Sequence, residues 1–152
     1  MIELKSLSIC NIDPVVGLYR VMIEETRARD NRLAHVETDD RSIRNLLQYS
    51  FDIENNLFFV AYLHNSPIGF IDSARVSEGH GADEWYIKSV FLLPGHCDEP
   101  FFDALVYRVE KEVRQKGVSR IFSNALMDSD EINTLWESIG YEIDEGKRYK
   151  TL

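Results

Sequence analysis

The sequence has no excess of positive charge. Seventeen Lys and Arg stand against 26 Asp and Glu, for a formal charge of −9. Phosphate backbones need a basic face, so no nucleic-acid partner is expected. Cysteine is scarce: Cys10 and Cys97 form neither a CxxC pair nor any metal spacing. The two thiols read as reduced side chains of a cytoplasmic protein, and no metal site is expected. Long apolar runs are missing too, so no membrane span is expected. Met1-Ile2-Glu3-Leu4-Lys5 has neither the basic nor the long apolar segment of a signal peptide. No repeat or low-complexity linker divides the chain, and residues 1–152 read as one domain with its own core. The acidity itself leaves two readings open. One is plain solubility; the other is a cationic substrate or a basic protein partner.

What is present is a strong order of elements. Ile2 to Ile9 alternates as a strand. Asp13-Pro14 starts a helix whose apolar stripe is Val15, Leu18, Tyr19, Met22 and Ile23, running to about Arg29. The polar segment Asp30 to Thr38 reads as a mobile loop able to cover a site. Asp39-Asp40 caps a second helix along Ile43, Leu46, Leu47 and Phe51. Leu57 to Leu63 is a near-continuous apolar run, the mark of a strand buried on both faces. A tight turn leads to a partner strand, Ile68 to Val76. The densest stretch follows, Glu84-Trp85-Tyr86-Ile87-Lys88-Ser89-Val90-Phe91-Leu92-Leu93-Pro94, then a polar loop, then a helix from Phe101 to Lys116-Gly117. Val118 to Leu126 is a strand, Asp128 opens a short helix through Trp136, and two strands close the chain around Asp144-Glu145-Gly146-Lys147. The order β, α, α, β, β, β, α, β, α, β, β predicts an α/β fold of mixed α+β character, with about six to seven strands flanked by about four helices.

In this order the chain resembles the GCN5-related N-acetyltransferase (GNAT) superfamily over nearly its whole length. The likeness rests on the hairpin Phe58-Phe59-Val60-Ala61-Tyr62 with Pro67-Ile68-Gly69-Phe70. It rests also on the central strand Tyr86 to Pro94, and on Leu135-Trp136-Glu137-Ser138-Ile139-Gly140-Tyr141. The resemblance implies that acetyl-CoA is the acyl donor. Its pantetheine arm would pair with the backbone of Val90, Phe91 and Leu92. The family's diphosphate loop, Arg/Gln-x-x-Gly-x-Gly/Ala, falls on Cys97 to Phe102, so Cys97, Asp98, Phe101 and Phe102 are the residues expected to face it. Here the chain departs from the pattern. Pro100 replaces the first glycine and has no N–H, Phe102 replaces the second, and Asp98 and Glu99 bring negative charge. Asp98-Glu99-Pro100 reads more simply as a well-capped helix start. The family's tyrosine acid falls on Trp136, whose indole cannot release a proton, and its frequent asparagine on Ser129.

The chemistry left is direct acyl transfer. Glu84 is the expected base, with Asp83 beside it. Tyr141, Tyr86 or a water is the expected acid. His80 and His96 sit in loops, and the adjacent His96-Cys97 pair lacks a third member for nucleophilic work. Two functions follow. One is an N-acetyltransferase acting on a cationic primary amine, either a small molecule or a lysine. The other is a non-catalytic domain that has lost the cofactor and serves as a protein-interaction or dimer module. The exposed edges of a mixed sheet make a homodimer an expectation of either.

Overall fold

The computed structural model describes residues 2–8, 10–29, 34–51, 56–75, 84–124, 130–144 and 146–152. Eleven elements follow one another: β1 (Ile2–Ser6), α1 (Asp13–Arg29), α2 (Asp40–Phe51), β2 (Asn56–Leu63), β3 (Ser66–Arg75), β4 (Glu84–Leu92), α3 (Glu99–Gln115), β5 (Arg120–Asn124), α4 (Asp130–Ser138), β6 (Glu142–Asp144) and β7 (Lys147–Thr151). This is the predicted order. The strands form one sheet, β1-β2-β3-β4-β5-β7-β6. Every pairing is antiparallel except β4 with β5.

Two cores sit on the two faces of this sheet. On one, Val15, Val16, Leu18 and Ile23 of α1 and Ile43 and Leu47 of α2 cover Phe58, Val60, Phe70 and Phe91. On the other, α3 packs Phe102, Leu105, Val106, Val109 and Val113 beside Leu135 and Trp136 of α4, over Phe59, Ala61, Ile71, Trp85, Ile87 and Leu92. Strand β2 therefore sends alternate residues into both cores, which is why its sequence is apolar throughout. The β2–β3 hairpin turns through His64 and Asn65, both at positive φ (50° and 65°), the geometry that matches strand twist in a two-residue turn.

Glycine is required at one place in the sheet. A Cβ on Gly69 would lie 2.4 Å from Phe91 O and 2.6 Å from Leu92 Cδ2. Gly69 thus lets β3 approach the far end of β4 closely. The described part of the loop before α2 is pinned to α1. Arg20 Nε donates to Thr38 O at 2.8 Å, and Arg27 donates to Val36 O. Positions 30–33 of the expected mobile loop lie outside the described residues.

Candidate active site

The site begins where β4 loses its neighbour. Strand β5 pairs with it from Glu84↔Arg120 to Ile87↔Ser123, and among the described residues the ladder stops there. Among the same residues, β4 continues to Leu92 along β3 alone. The Leu93 N–H donates to Ile68 O at 2.8 Å, which sets the hydrogen-bond phase of this stretch. By antiparallel alternation Ser89 and Phe91 bond to β3, so the N–H and C=O groups of Val90 and Leu92 point into the gap.

A β-bulge marks the opening. Asp72 faces Ser89 and Ser73 faces Ile87, which leaves Lys88 as the extra residue. The bulge reverses the strand's phase. Trp85 and Ile87 face α3 before it, and Leu92 does so after it. The Lys88 ammonium lies 3.2 Å from Asp72 Oδ2, and the Asp72 side chain is 3% exposed. Ser50 Oγ donates to the same oxygen at 3.0 Å. Asp72 Oδ1 is buried with no hydrogen-bond partner among the described residues. Burial pushes the Asp72 carboxyl up, against the pull of Lys88 and Ser50. Tyr19 of α1 stacks on Phe70 at 5.6 Å. Burial first, then the charge of Asp72, pushes its phenol up to about 12.

Of these residues Tyr19 and Lys88 are walls of a cleft of about 560 Å³. Tyr19, Met22, Glu25 and Arg29 line it from α1, and Lys88 to Leu92 from β4. Pro94 and Cys97 line it from the following loop, Glu131 and Trp136 from α4, and Arg148 from β7. Arg148 is 1% exposed. It donates to Ser123 Oγ at 3.5 Å and to Asn133 Oδ1, and stands over the Trp136 ring at 5.3 Å. An open strand edge along such a cleft can take an extended, amide-bearing arm as an added strand. Val90 and Leu92 are the residues that fit this role. Phe91 also lines the cleft, but its backbone belongs to β3 and its side chain to the α1/α2 core.

The N-terminus of α3, one turn further on, is built differently. Asp98 caps the helix, its Oδ1 accepting from Phe101 N at 3.3 Å. The Phe102 N–H donates to Asp98 O at 3.0 Å, His96 N to Leu93 O at 2.9 Å, and Asp98 N to His96 O at 2.9 Å. Pro100 has no N–H to offer. Phe102 is buried, meeting Trp136 edge to face at 5.0 Å. This end is a capped helix start and does not fit a diphosphate cradle.

The other expected site residues fall as follows. Glu84 stands at the closed end of the β4–β5 ladder, 3.7 Å from Arg120, and is not a wall of the cleft. The rise of a strand puts it roughly 17 Å from Ser89. Tyr141 is also outside the wall. Its hydroxyl donates to Glu110 Oε2 at 2.9 Å, and Lys150 meets the same carboxylate at 3.1 Å. Burial and Glu110 hold the phenol protonated, as part of a brace between α3 and the last strands. Tyr86 stacks on Phe122 at 5.0 Å. Phe101 meets the His96 ring edge-on at 6.0 Å, and no hydrogen bond joins His96 to Cys97 among the described residues. Burial and the charges of Glu131, Asp98 and Glu25 push the Cys97 thiol up, against a nucleophilic role. His80, Asp83 and Ser129 lie outside the described residues.

Sequence reasoning missed Tyr19, Asp72, Lys88, Glu25, Glu131 and Arg148. Two of them carried a signal. Asp72 and Lys88 interrupt otherwise apolar strands, and a charge at a core position needs a partner.

The model of the acetyltransferase (GNAT) family matches residues 18–141. No curated protein matches the chain in sequence. Among solved structures, the PaiA N-acetyltransferase of Thermoplasma acidophilum, in complex with coenzyme A, superposes with a TM-score of 0.76 at 16% identity, covering 100% of this chain and 99% of that one. A predicted acetyltransferase of Clostridium acetobutylicum with acetyl-CoA has a TM-score of 0.74 at 11% identity, covering 95% and 92%. An aminoglycoside acetyltransferase from an uncultured soil metagenomic sample, in complex with sisomicin, has a TM-score of 0.70 at 16% identity, covering 95% and 90%. At such identities the likeness is one of fold.

Proposed function

The chain belongs to the acetyltransferase (GNAT) family, and from that premise we propose that it transfers an acetyl group from an acyl-CoA thioester to a cationic primary amine. The observation that carries the reading is the parting of β4 from β5, which turns the backbone of Val90 and Leu92 toward the cleft. The donor supplies an activated carbonyl. Val90 and Leu92 would hold its arm, and their N–H groups are the available donors to an oxygen that gains charge.

The acceptor enters as a cation and must react as a neutral amine. Glu25 and Glu131 line the cleft as exposed carboxylates suited to receive the cation and its proton. Lys88, inside, disfavours a second positive charge nearby and so favours the neutral amine. Tyr19 is the one phenol among the described lining residues, and its place in the cleft wall suits it to proton return to the departing thiolate. Glu84 and Tyr141 take neither role in this reading. The open sheet edges, β1 and β6, are where a second copy would add in a homodimer.

Thermal melting with and without acetyl-CoA tests the reading. A donor at a hundred times its Kd stabilises by about 2.7 kcal/mol and raises Tm by several degrees. An unchanged Tm at millimolar acetyl-CoA would favour the non-catalytic domain instead. Once an acceptor amine is found, Tyr19→Phe should lower kcat while leaving donor binding intact.

A further inference from the structure

We infer that the donor is recognised through its acyl-pantetheine arm, and that the nucleotide diphosphate of the full coenzyme adds nothing to its affinity. This rests on the acyltransferase reading above. An arm laid along the open edge of β4 runs on past Leu92 toward Pro94 and Cys97, which form that end of the cleft. Its far end therefore meets the first turn of α3.

A diphosphate can be held there in three ways: by free N–H groups, by an uncompensated helix dipole, or by cations. Four of the seven N–H groups from Gly95 to Phe102 are taken: those of His96, Asp98, Phe101 and Phe102 have acceptors, and Pro100 has no N–H, which leaves those of Gly95, Cys97 and Glu99. The dipole is compensated, because the carboxylates of Asp98 and Glu99 stand on the positive end. Both side chains are exposed and leave an approaching anion facing like charge. Two of the cleft's three cations are committed. Lys88 is bound to Asp72 at 3.2 Å, and Arg148 to Ser123 and Asn133. Arg29 lines the cleft from the end of α1, which packs on the face of the sheet opposite α3. The glycine that would open the loop is absent, since Phe102 fills the core against Trp136. The pantetheine end finds open backbone, and the nucleotide end finds a helix start capped by carboxylates.

Titration calorimetry with coenzyme A, pantetheine and 3′-phospho-ADP tests this. The expected result is that coenzyme A and pantetheine bind with Kd values within about fivefold of each other, and that 3′-phospho-ADP does not bind. A larger preference for coenzyme A, or binding of 3′-phospho-ADP, overturns the inference and leaves the acyltransferase reading standing. Binding of none of the three overturns both. A second variant probes the cause. Asp98→Gly combined with Pro100→Gly frees N–H groups and removes a carboxylate at this turn. The double variant should gain a preference for coenzyme A over pantetheine. Continued parity in a folded double variant overturns the assignment of the diphosphate to this turn.

Discussion

Strand β4 and the N-terminus of α3 are joined by a six-residue loop, yet they present their backbones in opposite ways. Both carry the same currency, peptide N–H groups. In β4 the groups of Val90 and Leu92 are open, because β5 stops pairing after Ile87. In α3 those of Phe101 and Phe102 are closed, because Asp98 has taken both. Neither state belongs to the residue that owns the N–H. Each is set by a neighbour: a strand that turns away, or a carboxylate that turns in. A backbone site can therefore survive extensive side-chain change at one end and be lost through one capping residue at the other.

Disturbing the open strand should have the largest effect. Gly69→Ala puts a Cβ against Phe91 O and Leu92 Cδ2, with no flexible far end to give way at the carbonyl. We expect a loss of about 3 kcal/mol in urea unfolding, from overpacking between β3 and β4. Donor-induced stabilisation should vanish with it.

Lys88→Met comes next. It leaves the Asp72 carboxylate buried with Ser50 alone. The expected cost is about 2 kcal/mol at pH 7, below the usual range for a broken buried pair because Lys88 is partly exposed. The sign with pH follows from Asp72. Its folded pKa already stands above the ordinary 3.8, and loss of Lys88 raises it further. The folded state then holds this proton more tightly than the unfolded chain does. The contribution is favourable at acid pH and is lost as pH rises through the folded pKa. The variant's deficit should therefore shrink from pH 7 toward pH 4 in urea titrations at each pH.

Asp98→Ala opens the closed end. It removes the cap on Phe101 N, at a cost of about 1 kcal/mol in thermal or urea unfolding. Against the open strand, it should weaken the fold while leaving pantetheine affinity unchanged.

Glu84→Gln is the control at the paired end of β4. Its contact with Arg120 is 3.7 Å long and partly exposed. Stability should move by less than about 0.5 kcal/mol, and turnover should hold. A loss of turnover would restore Glu84 as the base.

Much of this contrast was legible in the sequence, and the rest was hidden for physical reasons. Element order followed from periodicity and caps, and Asp98-Glu99-Pro100 read correctly as a helix start. The phase of β4 could not be read. A strand apolar on both faces carries no alternation, so the bulge at Lys88 left no trace except the lysine itself. Asp72 and Lys88 were two isolated charges in separate strands, and only pairing in register brings them together. Tyr19 read as part of an apolar stripe, and it does pack on Phe70, yet it also reaches the cleft. Tyr141 lay at a suggestive position in sequence, but the brace through Glu110 and Lys150 joins residues far apart in the chain. Glu84 was in the right strand but at the end where β5 still pairs.

The most direct test watches both ends of the comparison at once. In an amide-resolved NMR titration with acetyl-CoA, the N–H signals of Val90 and Leu92 should move strongly. Those of Gly95 to Phe102 should stay close to their free positions. Large shifts confined to Gly95 to Phe102, with Val90 and Leu92 unmoved, would contradict the account.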